Sequence, residues 1–121
     1  MRLETVRAKV GATLLDVLKP GWADSIKLDK LDLSDCHACV LGQMFGDYSV
    51  GVEKVFCMLR PQEQGSTEAL YNASYRAGFQ DRPFGGYNMP ASEQLPIMEY
   101  GNLTDAWKRE IRKRRRAVKN A

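Results

Sequence analysis

The apolar residues of this chain recur at intervals of three and four, and proline and glycine cut the recurrence into segments. Val6, Val10, Leu14, Val17 and Leu18 have this spacing, which lines one face of an α-helix. A half-buried strand would alternate apolar and polar residues instead, and no stretch does so for long. The pattern therefore predicts a mostly α-helical chain.

The first helix is expected from Thr5, a plausible N-cap, to Leu18, with Pro20-Gly21 ending it. From Trp22 to Leu33 the alternation of Ile26, Leu28, Leu31 and Leu33 with charged residues is imperfect. One helical turn followed by an extended segment fits it, and no second strand is at hand to pair with that segment. Ser34 and Asp35 suit the start of a long helix reaching about Leu59. Gly42, Gly46 and Gly51 lie inside it, and would together cost a solitary helix about 2–3 kcal/mol. They require either a closely packed neighbour or a break near Gly46 or Gly51. Arg60-Pro61 closes this segment.

A shorter helix is expected after Gly65, capped by Ser66 or Thr67 and stopped by a Schellman turn at Gly78-Phe79. Residues 80–101 form an irregular loop with Pro83, Pro90 and Pro96. The last helix is expected to begin at Asn102, with Asp105 reaching back as in a capping box, and to bury Leu103, Ala106, Trp107 and Ile111. The predicted fold is all-α: one helical domain over 1–121, about four helices, a loop at 80–101, and a basic helix end or tail at 108–121. Its core is expected around Leu14, Leu18, Val40, Met44, Tyr48, Leu70, Ala73, Leu103, Trp107 and Ile111.

A chain of 121 residues with 44% hydrophobic and 27% charged residues suits a single soluble globular domain. No apolar run is long enough to span a membrane, and the first residues lack the apolar stretch of a signal peptide. The net charge of +3 conceals an uneven distribution. From Lys108 onward there are eight basic residues and one acid, a net of +7, whereas the first 107 residues carry −4. Lys108, Arg109, Arg112, Lys113, Arg114, Arg115, Arg116 and Lys119 are therefore the candidate partner-binding residues, suited to nucleic acid or an acidic protein surface. The competing reading is a solvated helix end whose cations meet the helix dipole.

Cys36, Cys39 and Cys57 are an odd number of thiols, which points to a reducing cytoplasm rather than a disulfide framework. With His37, the only histidine, they make four potential zinc ligands. On a helix, however, His37 would point about 100° away from the face shared by Cys36 and Cys39. The expectation is no metal and no cofactor, with Cys36 and Cys39 as small buried residues at a helix start. A thioredoxin-like thiol pair would need a βαβ setting that this pattern does not offer. Asp29, Asp32, Asp35 and Asp47 do not follow an EF-hand, and neither a nucleophile elbow nor a phosphate-binding glycine loop is present. A non-enzymatic role is expected.

The run Leu31-Asp32-Leu33-Ser34-Asp35-Cys36-His37-Ala38-Cys39-Val40-Leu41-Gly42-Gln43-Met44-Phe45-Gly46-Asp47-Tyr48, closing at Gly51, resembles a group of small uncharacterised proteins of actinobacteriophages, including mycobacteriophages. Their C-x-x-C-V-L-G-Q pattern is accompanied here by Gly11-Ala12, Leu14-Leu15-Asp16, Pro20-Gly21-Trp22, Gly78-Phe79 and the stretch from Leu103 to Ile111. The resemblance covers most of the chain except the loop. It implies a phage origin and expression in the host cytoplasm, and carries no activity or ligand. The expected function is binding to a host macromolecule, a host protein first. The alternatives are nucleic-acid binding through the basic helix end and metal or redox chemistry at Cys36 and Cys39.

Overall fold

A computed structural model describes residues 2–59, 67–82 and 97–119, the side chains of 57–59, 67, 118 and 119 excepted. Its elements are α1 (Leu3–Leu18), a 3-10 turn (Trp22–Ser25), a second 3-10 turn (Leu28–Lys30), α2 (Val40–Phe45), α3 (Tyr48–Leu59), α4 (Thr67–Arg76) and α5 (Tyr100–Lys119). The described residues contain no strand, and the architecture is the small all-α domain the spacing predicts. None of their helices is long and apolar enough to cross a membrane. The Arg60-Pro61 stop, the Gly65-Ser66 start and residues 83–96 of the expected loop lie outside the described residues.

The core is organised around Trp107. Its ring stacks on Phe79 at 5.0 Å and meets the edge of Trp22 at 5.8 Å. Its indole N–H donates to the Gly78 carbonyl at 2.7 Å. Such a ring needs small neighbours, and α1 supplies them: Ala8, Gly11, Ala12 and Leu15 are its buried residues. A Cβ at Gly11 would lie 2.1 Å from the Ala77 carbonyl oxygen and 2.7 Å from the Trp107 ring. The small-residue face of α1 therefore turns inward. Val6, Val10 and Val17, expected on the buried stripe, are 43%, 45% and 75% exposed. Of the expected core, Val40, Leu70, Leu103, Trp107 and Ile111 are buried, while Leu14, Leu18, Met44, Tyr48 and Ala73 pack half-buried against it.

The Schellman stop forms as read. Phe79 N–H donates to the Ser74 carbonyl at 3.0 Å, Gly78 N–H donates to that of Tyr75 at 3.1 Å, and Gly78 has φ of +77°. The turn sets Phe79 in the core and presents the Gly78 carbonyl to Trp107.

The long helix expected from Ser34 to Leu59 does not form. Residues 33–38 make a succession of turns, α2 starts after Cys39, and Gly46 at φ +91° breaks the helix before α3. Side chains of three aspartates hold this region. Asp32 Oδ1 accepts from Ser34 N–H, Asp35 Oδ1 from His37 N–H, and Asp47 Oδ1 from Ser49 N–H, all within 2.9 Å. Such Asx turns compete with helix formation, which is why Ser34-Asp35 stays outside one. Gly42 and Gly51 lie where neighbours approach: a Cβ would stand 2.3 Å from the Cys36 carbonyl oxygen and 2.7 Å from Leu41 Cβ, respectively.

Two further caps differ from expectation. Helix α1 begins at Leu3, so Thr5 sits within it and accepts from Arg109 Nη2 at 3.2 Å. Helix α5 begins at Tyr100, so Asn102 is helical, and it exchanges contacts with Glu99 and Arg2 instead of capping. The extended stretch at Ile26-Lys27 has no strand partner among the described residues, and Gln43 replaces one. Gln43 Oε1 accepts from Lys27 N–H at 2.7 Å, and its Nε2 donates to the carbonyls of Lys27 and Ala38.

Candidate functional site

Helix α5 carries seven of the eight basic residues with described side chains, and its register divides them. Leu103, Ala106, Trp107, Glu110 and Ile111 are buried, a run of steps of three and four. Arg114 and Arg115 occupy the next steps, and they too turn inward.

Arg114 grips Asp16 of α1 with both ends of its guanidinium, Nε to Oδ1 at 2.8 Å and Nη2 to Oδ2 at 2.9 Å. Its Nη1 reaches Glu110 Oε1 at 3.0 Å. Asp16 also accepts from the Trp22 indole at 2.9 Å. The Arg114 hydrogen bonds hold the Asp16 carboxyl below its ordinary range. Burial alone would raise Glu110, but donors on Lys113 and Arg114 outweigh it and its carboxyl is lowered. Arg115 Nε donates to the Ala23 carbonyl at 3.1 Å and its Nη2 to that of Ile26, closing the 3-10 turn onto α5. The basic run is therefore not a uniformly solvated helix end. Arg114 and Arg115 belong to the fold because two buried carbonyls and two carboxylates face them.

The remaining cations form a different set. Arg109, Arg112, Lys113 and Arg116 are exposed and follow one another at three, four and seven residues, which aligns them along one solvent face. Lys113 is tethered at 3.1 Å to Glu110, and Arg109 to the Thr5 hydroxyl. Arg112 and Arg116 pair with no carboxylate among the described residues. Lys108 is half-buried beside this stripe, and the Lys119 side chain lies outside the described residues. The seam could have been found by continuing the 103–107–111 count three and four residues further.

The cysteine motif also departs from expectation. Cys39 is buried and caps α2, its Sγ accepting from Gly42 N–H at 3.2 Å. Burial pushes its thiol up to about 11. Cys36 is exposed rather than buried, because it lies on a turn before the helix. Both are free thiols. The Cys57 side chain lies outside the described residues.

Near α4, Tyr48 Oη pairs with Ser74 Oγ at 2.6 Å and donates to Gln80 Oε1. Burial raises the Tyr48 phenol well above its ordinary value and brings Tyr100 to about 12, so both stay protonated at neutral pH.

Comparison with known proteins gives no match, whether to family models, to curated proteins or to solved structures.

Proposed function

We propose that this chain is a small, phage-encoded, non-enzymatic protein that binds a host macromolecule in the host cytoplasm through the solvent face of α5. The observation that carries this reading is the stripe of Arg109, Arg112, Lys113 and Arg116. A single cation or two would suffice to complement the dipole at the end of a helix. Four aligned outward cations, left over after Arg114 and Arg115 have been used internally, exceed that need and repel one another. The sequence resemblance supports the phage setting, and the lack of nucleophile, phosphate-loop and EF-hand motifs in the sequence supports a binding role.

The partner favoured is a protein with an acidic surface. Nucleic acid is the second reading, because three of the four stripe cations are arginines, whose planar fork matches phosphate. The test compares the full chain with a variant carrying Arg109→Gln, Arg112→Gln, Lys113→Gln and Arg116→Gln. The wild-type chain should retain a defined host protein at low salt and release it as salt rises, and the variant should not retain it. Binding of DNA or RNA with a steep salt slope, flattened in the variant, would move the assignment to nucleic acid. Equal capture by both chains at low and high salt would overturn the reading.

A further inference from the structure

The helical geometry that argues against a metal site at Cys36 and Cys39 is absent from the structure. Residues 36–38 are a turn, not a helix, so His37 is not rotated away from Cys36 by a helical step. Cys39 withdraws to cap α2. In its place Asp47 arrives from the turn before α3. Ligating atoms of Cys36, His37 and Asp47 lie within 4.8 Å of one another. Around zinc, with bonds of about 2.0–2.3 Å, neighbouring ligand atoms of a tetrahedron stand about 3.3–3.8 Å apart.

We propose that Cys36 Sγ, His37 Nε2 and a carboxylate oxygen of Asp47 form a binding site for a zinc-like divalent transition-metal ion. The combination of thiolate, imidazole and carboxylate suits zinc, and excludes the all-oxygen preference of calcium and magnesium. The backbone that carries the three donors is tied together. Tyr48 N–H donates to the Cys36 carbonyl at 2.9 Å, joining the two turns. Gly42 admits the Cys36-His37 backbone against α2, where any Cβ would collide with it.

The Gly46 contact fixes the imidazole tautomer that a metal-binding histidine uses. His37 Nδ1 lies 2.9 Å from the Gly46 carbonyl, which can only accept, so Nδ1 carries the proton and Nε2 keeps its lone pair. The left-handed turn at Gly46 aims that carbonyl. Asp47 uses Oδ1 to cap α3 at Ser49, leaving Oδ2 for a cation. Binding takes the proton from the Cys36 thiol and releases it to solvent. Cys36 and His37 are exposed, which leaves the fourth coordination position to water. This site is independent of the α5 stripe.

Cobalt, titrated into the reduced full chain, tests the site. The expected result is a sulfur-to-cobalt charge-transfer band that saturates at one ion per chain and disappears on adding zinc. Cys36→Ser should abolish the band, whereas Cys39→Ala and Cys57→Ala should keep it. His37→Gln and Asp47→Asn should each weaken zinc binding by at least about tenfold. Asparagine still caps a helix, so Asp47→Asn isolates the ligand role from folding. No band in the wild-type chain, a band that survives Cys36→Ser, or zinc affinity unchanged in His37→Gln and Asp47→Asn would overturn the proposal.

Discussion

Arg114 and Arg116 belong to the same basic run of the same helix, yet one is part of the fold and the other is not. Arg114 lies about five-sixths of a turn past the last buried isoleucine and finds Asp16 and Glu110 waiting. Arg116 lies half a turn further round and faces water. The difference is one of register alone. A cluster of like charges in a sequence therefore is not one feature: the helix sorts it into a seam and a surface.

The most severe challenge to this division is to remove what defines the register. Trp107 is fully buried and hydrogen-bonded to Gly78. Trp107→Ala should destabilise the protein by about 3–5 kcal/mol, measured by denaturant unfolding. An unchanged midpoint would mean that the inward face of α5 is misassigned, and the sorting of the arginines with it.

The seam itself comes next. Arg114→Gln leaves Asp16 without its bidentate partner and Glu110, a buried carboxylate, with Lys113 alone. Arg115→Gln removes the donors to the Ala23 and Ile26 carbonyls. Each should cost about 1–3 kcal/mol, while Arg112→Gln and Arg116→Gln together should stay within about 0.5 kcal/mol. Equal losses from the inward and outward pairs would erase the distinction.

Acid should act on the seam and spare the surface. Asp16 and Glu110 have carboxyls lowered from 3.8 and 4.5 in the folded state. The folded protein thus binds fewer protons than the unfolded chain across the acid range. Their contribution is complete above those ordinary values and is lost as the pH falls through the lowered ones. Stability should decline below about pH 4.5, and the decline should be shallower in Asp16→Asn and in Glu110→Gln. An acid limb identical to wild type in both variants would show that the seam carries no linked protons.

The smallest effect on stability should bring the largest on binding. The outward quadruple Gln variant is expected to melt within a few degrees of wild type while losing salt-sensitive partner capture. If it unfolds instead, Arg109 and Lys113, with their contacts to Thr5 and Glu110, belong to the seam as well.

What could be read in the sequence follows the same logic of local against distant information. The buried face of α5 at Leu103, Ala106, Trp107 and Ile111, the Schellman stop at Gly78-Phe79 and the all-α class are local patterns, and they appear as expected. The break of the 34–59 segment was legible as an alternative in Gly46, but its cause was not, because Asx turns at Asp32 and Asp35 and a new cap at Asp47 had to act together. The inward face of α1 was unreadable from its own valines, since it is chosen by the size of Trp107 some ninety residues away. Likewise, Cys36, His37 and Asp47 are adjacent only once Gly46 has turned the chain back. Gly11, Asp16, Trp22, Gln43, Gly46, Gly78 and Trp107 each fix a contact described above.

The packing of α1 on α5 has a consequence for the order in which the protein is made. Synthesis delivers α1 first, and the ring that fills its small-residue groove about ninety residues later. Until then the groove has no cover from α5, and only the turn after α4, at Ala77-Gly78, approaches it. The closing step is a long loop closure, whose entropy must be met before the Trp107 contacts reward it. A nascent chain halted just short of residue 107 should therefore remain sensitive to protease along α1, and the same chain extended past residue 115 should become resistant in one cooperative step.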